Sequence, residues 1–382
     1  MDISGSCDDR FASVGEAFGD NFHADREPAE VGASVAVTIE GELVVDLWAG
    51  TVTGDDGTDR PWDRDTIINV WSTTKTVSAL ACLILADQRE LDFYSPVARY
   101  WPEFRVADKG GVEVRHVMSH TAGLPSWSEP ITLEVLYDWE QATAMLAAQE
   151  PWWEPGTASG YHAVTQGYLE GELVRRITGQ SMGEFVAAEI TGPLGADFHI
   201  GTAAEHDARV AHVIAPSRAL SADDAEPGSI VERAVRSLRL DANAANTIPW
   251  RRAEIPAAGG FGNARSVAMI HAPMANGGAA NGVRLLSPSG ADPVFDEQIY
   301  AQDLILPTKV RHGIGFGLPS AETPISPNER TCFWGGWGGS LALVDLDARM
   351  TFAYVMNKMG EGTVADLRAA SILATLYDTL AS

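Results

Sequence analysis

Cysteine is scarce: Cys7, Cys82 and Cys332 are the only three in 382 residues, and they are widely scattered. Their odd number and spacing exclude a disulfide framework and a thiolate metal site, and fit a reducing compartment. No run of about 18 apolar residues occurs, which excludes a helical membrane span. Met1 to Asp20 carries acidic residues early and lacks both a basic leader and an apolar stretch, so no secretory signal is expected and the cytoplasm is. Basic residues are few as well, 27 against 52 acidic ones, for a net charge of −25. Such a field repels phosphate backbones and anionic lipid heads, so nucleic acid and membranes are poor partners. The acidity itself reads as a well-solvated surface. Also missing are a Gly-Xaa-Ser-Xaa-Gly elbow, a Gly-rich phosphate loop and a dinucleotide fingerprint. His116 and His120 have the four-residue spacing of helical zinc ligands, but the expected glutamate is Val117. Neither metal nor cofactor is expected.

What is present suffices for a sizeable core, with 45% hydrophobic residues in one large domain or two intimate ones. Segments 33–40 and 42–49 are β-branched and apolar around Gly41 and predict a hairpin. Further strands are predicted at His312–Leu318, Ser340–Asp345 and Met350–Met356, then a closing helix from Val364 to Leu380. Both chain ends therefore share one sheet. The middle is helix-rich and punctuated by Pro and Gly, and the acidic stretch from Ser217 to Asn246 reads as an excursion rather than a linker.

Three features carry chemistry. Val77, Leu80, Ala81, Ile84 and Leu85 recur at helical spacing after Trp71-Ser72-Thr73-Thr74-Lys75, which puts Ser72 at or just before a helix N-terminus. Serine is a favoured cap there. It is also a nucleophile when a base takes its proton, and Lys75 lies within reach on the same helix face. The chain has four lysines, and only Lys75 stands three residues after a serine. To act as a base it must be desolvated, because burial lowers a lysine pKa by up to several units. The second feature is the loop Glu154 to Ala163, whose Pro155, Gly156 and Gly160 deliver Tyr161 to a helix start; packing is the alternative role for this ring. The third is Phe333-Trp334-Gly335-Gly336-Trp337-Gly338-Gly339-Ser340, entering a strand through glycines that admit a ligand or another chain segment closely.

With Ser72-Thr73-Thr74-Lys75, Tyr161-His162-Ala163 and Trp334-Gly335-Gly336 in that order, the chain resembles the serine β-lactamase and penicillin-binding-protein superfamily, most closely the family VIII carboxylesterases. Supporting stretches over nearly the whole length include Ser119-His120-Thr121-Ala122-Gly123-Leu124, Ala258-Gly259-Gly260 and Tyr354-Val355-Met356-Asn357. The resemblance implies an α/β (α+β) fold of the β-lactamase/transpeptidase type. In it an antiparallel sheet flanked by helices, from residues 1–95 and 255–382, meets a mainly helical part, 96–254, with the active site between them. It implies a Ser72 acyl-enzyme, Lys75 and Tyr161 as proton relays, and an oxyanion hole from the main-chain N–H groups of Ser72 and Trp337. The expected substrate is a small to medium neutral ester, with a β-lactamase or D-alanyl-D-alanine peptidase as the alternative and a non-catalytic sensor as a further one. Two departures support the ester: lactam-cleaving relatives usually have a polar residue where this chain has Trp334, and asparagine where it has Ala163. Trp334, Gly335, Gly336, His162, Trp127, Trp152 and Trp153 are the expected substrate-facing residues.

Overall fold

The computed structural model describes every residue except 1, 24, 25, 27, 218–221 and 363–365. Its main sheet is antiparallel and draws on both ends of the chain. The strand order is Ser4–Cys7, Glu42–Thr53, Gly32–Ile39, Met350–Met356, Leu341–Asp345 and Thr331–Gly335, with Asp59–Pro61 added beside Glu42–Thr53. The predicted hairpin is there, and Glu40 and Gly41 turn it with positive φ. Central strands Met350–Met356 and Leu341–Asp345 are buried along their whole length, which explains their continuous apolar runs: helices cover both faces. Helix Ala264–Ala275 packs against Met350–Met356 and Gly32–Ile39, and helix Leu367–Ala381 lies with Ala12–Asp20. The predicted start of the closing helix at Val364 lies outside the described residues. Asn357 joins the two ends of the chain: its side chain accepts from Gly32 N–H at 2.9 Å and donates to the Thr51 carbonyl at 2.9 Å.

One sequence expectation fails. His312–Leu318 is not a strand of the main sheet; Lys309–His312 pairs instead with Ile299–Gln302, and the chain then turns back so that Gly313 N–H reaches the Phe316 carbonyl. The alternation was real, but its small members are Gly313, Gly315 and Gly317, and Gly315 takes φ 79° against Ala79. Only Gly317 touches the sheet, in a single bridge to Phe333.

Two pieces of the fold position the site. Helix Thr74–Asp87 is buried on every side through Leu85, as expected of a helix that is apolar all round. A small sheet, Ile68–Asn69 with Gly260–Gly262 and Phe198–Ile200, holds the segment before it. Gly260 is required there, since a Cβ would stand 2.4 Å from the Phe198 ring and 2.6 Å from Thr74 Oγ1. No helix among the described residues is long and apolar enough to cross a membrane.

Candidate active site

Ser72 is not a helix cap. It occupies a 3-10 turn, Trp71–Thr73, ahead of the buried helix, and no side-chain cap bond forms there. Trp71 enters this turn at φ 50°, a left-handed conformation that costs a bulky residue on the order of 1–2 kcal/mol. The Trp71 ring is wedged against Trp250 and Trp337 at 5.5 and 5.0 Å, and Thr74 Oγ1 donates to its carbonyl at 2.6 Å. Packing thus holds the strained turn and aims the Ser72 hydroxyl out of the helix.

Two groups converge on that hydroxyl. Lys75 Nζ lies 3.1 Å from Ser72 Oγ, and Tyr161 Oη lies 2.7 Å from it. Lys75 Nζ also donates to the carbonyls of Ala163 at 2.7 Å and Ala257 at 2.9 Å. Trp334 Nε1 donates to Tyr161 Oη at 3.3 Å. Burial pulls the Lys75 amine down to about 7. Burial pushes the Tyr161 phenol up to about 12, partly offset by its hydrogen bonds with Ser72 and Trp334. The main-chain N–H groups of Ser72 and Trp337 have no acceptor among the described residues.

Glu170, on helix Thr165–Thr178, is an acid whose charge acts on Lys75, and it was not legible as such in the sequence. Burial pushes its carboxyl up to about 8, against the opposing pull of Lys75, and neither oxygen has a hydrogen-bond partner among the described residues. Burial thus disfavours the charged form of both the acid and the amine. Three buried histidines, His120, His162 and His312, surround the Tyr161–Trp334 pair. Burial holds His162 and His312 down at about 4 and His120 well below its ordinary value, so all three are neutral.

The expected pocket residues divide. Trp334 stands against Tyr161, and Ala163 contributes its carbonyl rather than a side chain. Gly336 is glycine because Val70 O and Ser340 Oγ would lie 2.4 and 2.2 Å from a Cβ: a chain segment, not a ligand, makes the close approach. His162 braces loops, with Nδ1 on the Gly160 carbonyl and Nε2 accepting from Leu124 N–H. Trp127 is fully buried, donates to the Ala142 carbonyl and packs on Tyr168, so it does not face substrate. Trp152 donates to Ser128 Oγ under the Arg233 guanidinium, and Trp153 packs on His162. None of these three tryptophans lines either of two cavities near the site, one of about 470 Å³ beside Trp337 and one of about 290 Å³ beside Trp334. His116 and His120 do not share a helix face: His116 Nδ1 accepts from Glu113 N–H as part of a capping box, and His120 lies beyond the helix at φ 61°.

Asp303 escaped sequence analysis because no short motif surrounds it. Its buried carboxylate accepts from Tyr161 N–H at 3.1 Å, Ile305 N–H and Leu306 N–H at 2.8 Å each, and Ser159 Oγ at 2.6 Å. It ties the Tyr161 loop to residues 303–306. Asp303→Ala strands three buried donors, each worth about 1–3 kcal/mol, so denaturant titration should show a loss of roughly 3 kcal/mol or more. Asp303→Asn keeps an acceptor oxygen and should lose clearly less.

A hydroxyl, an amine and a phenol at the start of a buried helix, beside the edge of an antiparallel sheet, define the β-lactamase/transpeptidase class of fold and site. The chain belongs to the β-lactamase family, whose model matches residues 20–377. It is 32% identical to the Esterase/beta-lactamase LipL of Mycobacterium tuberculosis over 376 residues, which cover 94% of this chain and 83% of that one. The fold superposes on a family VIII carboxylesterase with a TM-score of 0.90 at 38% identity, covering 99% of this chain and all of that one. A penicillin-binding protein homolog from Caulobacter crescentus gives 0.90 at 36% identity, with the same coverage.

Proposed function

We propose that the protein is a serine carboxylesterase that cleaves small to medium neutral esters through a Ser72 acyl-enzyme. The observation that carries this reading is the directed hydrogen-bond chain through Ser72. Lys75 Nζ faces two carbonyls and one hydroxyl. A neutral amine has two N–H donors for the carbonyls and one lone pair, which is left for the Ser72 proton. Trp334 donates to Tyr161 and Tyr161 to Ser72 Oγ, which stands 3.1 Å from the Lys75 Nζ that is to receive its proton.

Attack of Oγ on the ester carbonyl then sends the hydroxyl proton to Lys75. The oxyanion is received by the free N–H groups of Ser72 and Trp337. When the carbonyl carbon–oxygen bond breaks, Tyr161 gives its proton to the departing alkoxide and regains one from the Lys75 ammonium. Water repeats the sequence on the acyl-enzyme, with the same groups in reverse roles. A sensor without catalysis is disfavoured because all three groups are present and in contact.

Neutral substrates are favoured because Trp334 replaces a polar side chain and its one donor is already spent on Tyr161. A carboxylate brought into such a cleft unpartnered costs several kcal/mol of desolvation, and ~3 kcal/mol is a loss of more than a hundredfold. At fixed ionic strength, kcat/KM for p-nitrophenyl butyrate should exceed that for nitrocefin by at least about a hundredfold. LipL carries both activities in its name, so slow lactam turnover is compatible with this; a nitrocefin value equal to the ester value would make the protein a β-lactamase instead.

A further inference from the structure

The 290 Å³ cavity lies along strand Thr331–Gly335 and is walled mainly by apolar side chains, among them Leu306, Val310, Leu318, Ile325, Phe333 and Trp334. Leu306, Val310 and Trp334 also form the cluster that packs around Tyr161. The cavity therefore begins one side chain away from the phenol whose oxygen touches Ser72 Oγ. Its charged lining residues are engaged within the protein: Asp366 with Arg368 at 2.7 Å, Arg311 with Glu297 at 2.6 Å, and Lys309 with Glu322 at 3.9 Å. His312 also lines it, with a buried Nε2 that has no hydrogen-bond partner among the described residues, but burial holds this ring neutral, so it offers a ligand no charge and the apolar walls reward an apolar group.

We infer that this cavity is the alcohol pocket, which takes the apolar alkyl or aryl group on the leaving oxygen and makes the enzyme selective for esters of medium-sized apolar alcohols. The inference rests on the proposed role of Tyr161: the group that protonates the leaving oxygen must stand on that oxygen's side, so whatever the oxygen carries extends toward the Tyr161 flank. The volume lies at the low end for ligand pockets, which suits part of a substrate rather than a whole one. Each methylene moved from water to an apolar wall is worth roughly a fourfold gain in kcat/KM. A pocket with one open side captures part of that gain.

The test varies the alcohol at constant acyl group with ethyl, butyl and hexyl butyrate, whose leaving alcohols are all unbranched primary ones. A parallel series of ethyl butyrate, hexanoate and octanoate varies the acyl group alone. The hexyl:ethyl ratio of kcat/KM should be about 30 or more in the wild type. It should fall about tenfold in Ala370→Phe and in Ile325→Phe, each of which adds bulk at a lining position that is not fully buried. The acyl-chain series should respond to neither variant. A flat alcohol series, or variants that shift the acyl series instead, would overturn the pocket while Ser72 labelling and ester turnover leave the esterase reading standing. Absence of ester turnover and of Ser72 labelling in the wild type would overturn both.

Discussion

Ser72→Ala should remove ester turnover, with kcat/KM for p-nitrophenyl butyrate falling by roughly 10⁴-fold or more. The fold should persist, because the side chain lost is one small hydroxyl at the cleft and the turn is held by the Trp71 ring between Trp250 and Trp337. Near-wild-type circular dichroism and thermal midpoint would separate lost chemistry from lost structure. A fluorophosphonate should add once to the wild type, at Ser72, and not at all to the variant. Peptide mapping that found the adduct on a different serine would remove Ser72 from the mechanism, and the roles of Lys75 and Tyr161 with it.

Lys75→Arg should be nearly as damaging, at about 10³-fold or more, because a guanidinium stays charged and has no lone pair for the Ser72 proton. Wild-type kcat/KM should rise with pH through about 7 and then level off. The sign follows from the base form: burial lowers the Lys75 pKa, the neutral amine is the competent species, and below its pKa each pH unit removes about tenfold of it. At pH 5 the rate constant should stand near a hundredth of its plateau. The buried histidines lie too low, and Tyr161 too high, to produce a limb near 7; Glu170, pushed up to about 8, lies in range, so the limb should persist in Glu170→Gln if Lys75 is its source. A profile flat from pH 5 to 9, or an active Lys75→Arg, would exclude Lys75 as the base.

The sheet was legible where local pattern and tertiary environment agree. The hairpin at Gly32–Ile39 and Glu42–Thr53 and the strands Leu341–Asp345 and Met350–Met356 were read from β-branched and apolar runs, which buried strands need whatever covers them. His312–Leu318 was misread because glycine fits an alternating pattern as well as it fits a turn, and only the contacts of Gly313 with Val294 and Gly315 with Ala79 decide between them. Tryptophans misled for a related reason: Trp127 sits in a loop by sequence, yet the fold folds that loop under Tyr168.

Within the site, the order Ser72, Lys75, Tyr161, Trp334 was open to sequence reading, since reactive side chains and helical spacing are properties of the local chain. The sequence by itself determined which groups are able to react and that Ser72 and Lys75 share one turn. It could not determine that the Lys75 amine falls to about 7, because that follows from its complete burial by the tertiary fold, against the opposing pull of Glu170 from 95 positions away. Nor could it find Asp303, whose importance comes from accepting the Tyr161 N–H across 142 residues. Desolvation and hydrogen-bond supply are set by whatever the tertiary fold brings alongside a group, so the tertiary structure alone decided the protonation states and the shape of the cleft.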